Sequence, residues 1–238
     1  MASFEIHPTT VEDLYETQVV SEAAFGAHLL LIFSGPLSEE SRTAITQTRA
    51  SVFNVDPHAR RFKAVDPATG KIIGVCYWTV HAEEEELTKS IEDVVAARMK
   101  PDIPERRKEA SRAYYTMLTE GKREVLGLPD SVSPSGNGNL GKLKKRIDLD
   151  VMLVHPEYQR RGVGSALLNW GIQESKRLEL PLFVEASEDG RLLYERSGFQ
   201  PIKVGVLDSG KLDGVGSTSI TFMMRPVEES RDGVSGPI

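Results

Sequence analysis

The 238-residue sequence holds a single cysteine, Cys76. That excludes an internal disulfide framework and any cysteine-based metal cluster, and it suits a reducing compartment. Histidine is also scarce. His7, His28, His58, His81 and His155 are scattered, with no pair at the spacing that sets two ligands on one helix face. No metal site is therefore expected. There is no excess of positive charge: 29 Lys and Arg face 35 Asp and Glu, a net charge of -6, so no broad nucleic-acid-binding face is expected. Long hydrophobic runs are missing too. The longest, Phe25 to Phe33, is broken by His28 and falls well short of the roughly 20 residues a membrane helix needs. The first ten residues lack the basic start and apolar core of a secretory signal, and the last seven carry no retention or prenylation signal. These absences lead to the expectation of a soluble, cytoplasmic protein with no membrane partner and no nucleic-acid partner. Nothing in the sequence marks an oligomeric state.

What is present is enough chain for one large domain with a sizeable core. A short strand is expected near Phe4–Ile6. A helix follows from a Thr10 cap, and a second runs from Ser38 to about Phe53 with Glu39 and Glu40 in its first turn. Residues 59–80 read as a hairpin turning at Asp66-Pro67-Ala68-Thr69-Gly70. Residues 82–126 are charged and helix-prone, and Glu83–Glu86 read as a solvated helix start. Residues 127–146 are rich in Gly, Ser, Pro and Asn, as expected of a flexible loop. From Asp148 the pattern runs strand (DLDVMLV), helix (Ser165 to about Leu178), strand (LPLFVEAS), helix (Glu188 to Ser197), then two further strands. This order predicts a mixed α/β (α+β) fold, a mixed sheet with helices packed on it, in which the crossover joins parallel strands. Residues 1–227 are read as one domain with a helical insertion and loop at 82–146, and 228–238 as a tail.

The segment His155–Leu168, HPEYQRRGVGSALL, joins a strand to a helix. The first N–H groups of a helix have no internal partner, and the macrodipole adds partial positive charge there. Gly162 and Gly164 let a ligand approach the backbone, and Arg160 and Arg161 add charge, a combination suited to pyrophosphate. Three phosphate motifs compete for it. A Walker A loop needs Lys-Ser/Thr after the second glycine, where Ser165-Ala166 stand. A dinucleotide fingerprint needs a third glycine, where Leu167 stands.

The remaining pattern, Gln159-Arg160-Arg161-Gly162-Val163-Gly164 after a strand, resembles the acetyl-CoA signature of the GNAT superfamily of N-acetyltransferases. Downstream, EDGRLLYERSGF resembles the family's last helix, through Tyr194, Gly198 and Phe199. The resemblance covers about Asp148 to Ile202 and implies a strongly bent, GNAT-like mixed sheet with the helical insertion ahead of the coenzyme-binding strand. It implies acetyl-CoA as cosubstrate, bound by Gln159, Arg160, Arg161, Gly162, Val163, Gly164, Ser165 and Ala166, with the pantetheine arm along Leu153 and Val154. It further implies Tyr194 as general acid toward the leaving thiolate, and a water-mediated base at Asp150 or Asp148, with Glu185 as a third candidate. Strand periodicity sets the two aspartates on one face. Cys76, in a strand with no neighbouring base, is read as a core residue. The activity implied is transfer of an acetyl group to a primary amine of a small molecule. The alternatives are a protein N-terminal or lysine acetyltransferase and a non-catalytic CoA-binding sensor.

Overall fold

The computed structural model describes residues 4–128, 140–213 and 216–227. The expected tail at 228–238 and most of the Gly/Ser-rich loop lie outside them. In chain order the elements are β1 (Glu5–Pro8), α1 (Leu14–Phe25), α2 (Glu39–Val52), β2 (Ala59–Val65), β3 (Ile72–His81), β4 (Glu85–Glu86), α3 (Ile91–Arg98), α4 (Lys108–Leu126), β5 (Lys142–Leu143), β6 (Arg146–Val154), α5 (Val163–Leu178), β7 (Leu182–Ser187), α6 (Glu188–Arg196), β8 (Gln200–Asp208) and β9 (Ser217–Arg225).

Local chemistry sets several boundaries. Ser38 accepts a hydrogen bond from the Ser41 N–H at the start of α2. Ser90 and Asp93 cap α3 reciprocally, and Ser187 accepts from the Gly190 N–H at the start of α6. Two expectations are corrected. Thr10 does not cap the first helix: Asp13 stands at the N-cap of α1 and accepts from the Thr10 N–H and hydroxyl. Glu83–Glu86 do not start a helix: Glu85 and Glu86 form β4, paired antiparallel with Leu143 and Lys142 of β5. The ladder partner comes from a part of the chain predicted as loop, and local composition does not reveal it.

Seven strands form one mixed sheet in the order β1-β2-β3-β6-β7-β9-β8. Only the β6–β7 pair is parallel, with α5 as its crossover, as the strand–helix–strand order predicts. On one face α5 and α6 bury Val163, Leu167, Leu168 and Tyr194 against Cys76, Trp78, Leu149 and Val184. The approach is close: a Cβ on Gly171 of α5 would lie 2.2 Å from the Trp78 ring. On the other face α1 packs Val20 against Val75 and Leu153, while α4 packs Leu118 and Leu126 against Phe183 and Phe222. The insertion is therefore part of this second layer and supplies its core.

Two irregularities position the site. β6 and β7 are paired only through Ile147↔Leu182, Asp148↔Phe183 and Leu149↔Val184, whereas β6 stays paired with β3 as far as Val154. In that β3–β6 ladder Tyr77 faces Val151 and Trp78 faces Leu149, so Asp150 is an extra, bulged residue.

Candidate active site

The loop before α5 has the backbone of an anion cradle. Arg160 and Gly162 adopt φ of 61° and 88°, in the left-handed region where only Gly is free of strain. Gly162 is the N-cap and offers no side chain to the helix, and the first turn of α5 holds no acidic residue. The Ala166 N–H bonds to the Gly162 carbonyl at 3.0 Å. The N–H groups of Val163, Gly164 and Ser165 precede that bond and so have no intrahelical acceptor. Arg160, Arg161 and Ser165 are exposed around them. Arg161 lies over the Tyr158 ring at 5.1 Å, and Tyr158 is fixed by donating to Asp66 at 3.1 Å. Gln159 turns back and donates to the Val154 carbonyl at 3.2 Å, tying the loop to the end of β6. The structure therefore brings the predicted loop residues up to the end of β6, with Arg160, Arg161 and Ser165 exposed, while the side chains of Val163 and Leu153 are buried in the core.

The parting of β6 from β7 after Leu149 leaves residues 150–154 of β6 without a strand on that side. An amide-rich ligand can add to such an edge as a strand does.

Asp148 and Asp150 share one face in very different settings. Asp148 is 2% exposed. It accepts from Arg146 Nε and Nη2 at 2.8 and 3.0 Å and from Lys122 Nζ at 2.8 Å, with His81 Nε2 at 3.2 Å. Arg146 also pairs with Glu85. Burial alone would raise the pKa of Asp148, but Lys122, His81 and Arg146 outweigh it and hold the carboxyl well below its usual range. An anion so compensated is a poor proton acceptor.

Asp150 is open to solvent and accepts from Thr79 Oγ1 at 2.6 Å. Its surroundings are nonetheless mostly protein, as at the floor of a cleft. Desolvation, reinforced by the charge of Asp148, raises its pKa above the ordinary aspartate value. Glu185 on β7 is raised for the same leading reason, and its Oε1 is buried with no hydrogen-bond partner among the described residues.

Tyr194 sits on the opposite face, in the α5–α6 layer. It is 5% exposed, packed with Cys76 and edge-on to Phe199 at 5.6 Å. Burial pushes its phenol pKa up, so it keeps its proton. The structure does not bring Tyr194 into the cleft of Asp150; the gap between β6 and β7 is what separates the two. Cys76 is fully buried, its thiol pushed up to about 12 by desolvation, as fits a core residue.

Several site residues escape a reading of the sequence. Lys122 lies on the buried stripe of α4 with Tyr114, Leu118 and Leu126. A lysine at that four-residue spacing is the signal that marks it. Tyr114 is pushed up by burial and by Glu185, and Arg98 of α3 stands 5.9 Å from the centre of the Tyr115 ring. The insertion thus borders the cleft. Among the described residues no group of three or more metal-ligating side chains is assembled, and no helix is long and apolar enough to cross a membrane.

Parts of the sequence, and the fold, resemble known proteins. Residues 131–201 match the family profile described as acetyltransferase (GNAT) domain. A 55-residue stretch is 46% identical to an uncharacterized N-acetyltransferase, YafP, of Escherichia coli K12, covering 23% of this chain and 34% of that protein. A 59-residue stretch is 27% identical to a probable acyltransferase, SID5, of Ajellomyces capsulatus, covering 25% of this chain and 43% of that one. Both alignments thus span less than half of the relatives' own length. Arylalkylamine N-acetyltransferase 2 of Aedes aegypti superposes with a TM-score of 0.60 at 10% identity, over 95% of this chain and 100% of that one, a likeness of fold.

Proposed function

We propose that this chain is a GNAT-superfamily N-acetyltransferase that transfers an acetyl group from acetyl-CoA to the primary amine of a small molecule, by direct attack while both are bound; the family-profile match and the short stretch of identity support the reading. The observation that carries the reading is the join of the unpaired β6 edge, residues 150–154, to the cradle at Gly162–Ser165. The residues fit coenzyme A. The cradle offers free N–H groups, two arginines and no competing carboxylate for a pyrophosphate. The strand edge offers amide partners for the arm. When bound, acetyl-CoA supplies the acetyl group as an activated thioester.

The chain's own residues then divide the work. Arg160, Arg161 and the N–H groups of Val163, Gly164 and Ser165 hold the pyrophosphate. Backbone groups of Leu153 and Val154 orient the arm. Asp150 takes the proton of the incoming ammonium through water, which its raised pKa favours. Asp148 stays ionised and fixes Lys122 and Arg146. Tyr194 retains its proton and donates a hydrogen bond to the departing sulfur at the gap between β6 and β7. The α4 insertion, closing one side of the cleft with Tyr114 and Lys122, favours a small acceptor over a protein chain.

The test is thiol release from acetyl-CoA against a panel of small amines, polyamines and basic peptides. Release with small amines alone is expected, and release confined to basic peptides would refute the substrate class. Asp150→Asn should lower kcat by about 10²-fold or more, within the range of general-base catalysis. The acidic limb of the wild-type profile should lie above the ordinary aspartate value and vanish in the variant. An unchanged limb would remove Asp150 from the role.

A further inference from the structure

On the α1 side of the sheet a cavity of about 220 Å³ lies among α1, α2, β3 and β6. Val151 and Leu153 form part of its wall, so it opens beside the strand assigned above to the pantetheine arm. Although the protein is acidic overall, no Asp or Glu lines this cavity, while two guanidinium groups, Arg49 and Arg61, do. Arg61 is engaged: it donates to the Phe53 carbonyl at 2.8 Å and stacks 4.6 Å from the centre of the Phe53 ring.

Arg49 makes no hydrogen bond and no ion pair with any described residue. The carboxylate that acts on it is Glu22, and both oxygens of Glu22 are already taken by Arg42 at 3.0–3.2 Å. Arg49 is exposed to solvent on one side, and partial desolvation against the cavity wall outweighs the distant Glu22 and lowers its pKa. Tyr77 lines the same cavity, and its hydroxyl is buried and has no hydrogen-bond partner among the described residues. Tyr77 stands opposite Val151 in the ladder, one residue from Asp150. An unpaired cation and an orphaned hydroxyl therefore line one cavity, and the ladder sets the residue that bears the hydroxyl beside the bulged Asp150. Phe25, Val52 and Phe53 add apolar surface to the lining of this cavity.

We propose that the acceptor is an amino-acid-type zwitterion with an apolar side chain, its carboxylate bound by Arg49 and the Tyr77 hydroxyl and its amine left to Asp150. This rests on the acetyltransferase reading and narrows it from amines in general. A guanidinium binds a carboxylate through two parallel hydrogen bonds and discriminates against an acceptor that lacks one.

Matched pairs test it: tryptophan against tryptamine, and phenylalanine against phenethylamine. KM is read from thiol release, and affinity is read separately by calorimetry on the CoA-saturated protein. The carboxylate member of each pair should bind at least tenfold tighter. Arg49→Ala should weaken it ten- to a hundredfold relative to its neutral partner, with Arg49→Lys recovering part of the loss. Arg49 is exposed on α2, so the variants are expected to fold. The proposal is overturned if the neutral member binds as tightly, if Arg49→Ala weakens both alike, or if neither member binds. Tight, Arg49-dependent binding of the carboxylates without any turnover would defeat the acetyl-transfer reading and uphold only the carboxylate site at Arg49. Turnover of neutral amines indifferent to Arg49 would do the reverse.

Discussion

Replacing Asp148 by asparagine removes the carboxylate charge that faces Arg146, Lys122 and His81. Arg146 is 0% exposed and Asp148 2%, so neither is screened by water to any useful degree. The asparagine amide keeps one acceptor oxygen but turns N–H groups toward Arg146, Lys122 or His81. Breaking a buried ion pair by removing one partner costs about 3–5 kcal/mol, because the surviving charge stays desolvated. Two features place this case at the lower end: Arg146 keeps Glu85, and Lys122 still feels Asp150 and Glu185. A loss of about 3 kcal/mol corresponds to about 6–12 °C in Tm for a chain of this size.

The same charges set the pH dependence. The folded pKa of Asp148 is depressed, so its stabilisation is complete above the unfolded value of about 3.9. It is lost only as pH falls through the lower folded value. Urea unfolding of both proteins should therefore give a stability gap that is constant from pH 7 to pH 9 and closes only in acid below that range. A gap under about 1 kcal/mol at pH 7, the scale of an exposed ion pair, would refute the reasoning.

Gly164→Glu should abolish CoA binding by calorimetry while far-ultraviolet circular dichroism stays native. The added Cβ meets only the tip of Leu193, at 3.0 Å, and the carboxylate opposes the pyrophosphate; normal affinity in the folded variant would dismiss the cradle. Tyr194→Phe should lower kcat by about 10²-fold, the scale of one lost donor at a developing charge, with CoA affinity kept. Equal turnover would make Tyr194 a packing residue only.

The part of the site nearest the phosphates is legible because its signals are local. Gly162 and Gly164 sit between a strand and an apolar-periodic helix, and the structure puts α5 at Val163–Leu178 and β7 at Leu182–Ser187, close to the expected spans. The acceptor side is not legible in the same way. Arg49 belongs to an exposed stretch of α2 with ordinary charge patterning, and its isolation depends on Arg42 having taken Glu22. Tyr77 reads as a strand residue, and only the ladder sets it opposite Val151. Lys122 did leave a trace, as a charge on the buried stripe of α4, but its partner Asp148 is 26 residues away. Pairwise compensation at that range has no periodicity to betray it.

The bulge at Asp150 explains why the edge proposed for the arm, the proposed proton acceptor and the cavity of Arg49 adjoin one strand. Up to Leu149, β6 is bonded on both sides, and Ile147 and Leu149 face the α5–α6 layer. The extra residue inverts the alternation, so beyond it Met152 and Val154 pack toward α5 while Val151 and Leu153 pack toward α1. Strict period two from Asp148 would have placed residues 152 and 154 on the face of the aspartates instead. The same step coincides with the end of pairing to β7, which frees backbone donors and acceptors on one edge while β3 still holds the other. It also leaves the Asp150 side chain outside the ladder, where Thr79 steadies it. One inserted residue thus turns a core strand into an open edge and directs Val151 and Leu153 to the cavity of Arg49. The proposed chemistry depends on a departure from regular sheet geometry that the sequence DLDVMLV carries without announcing.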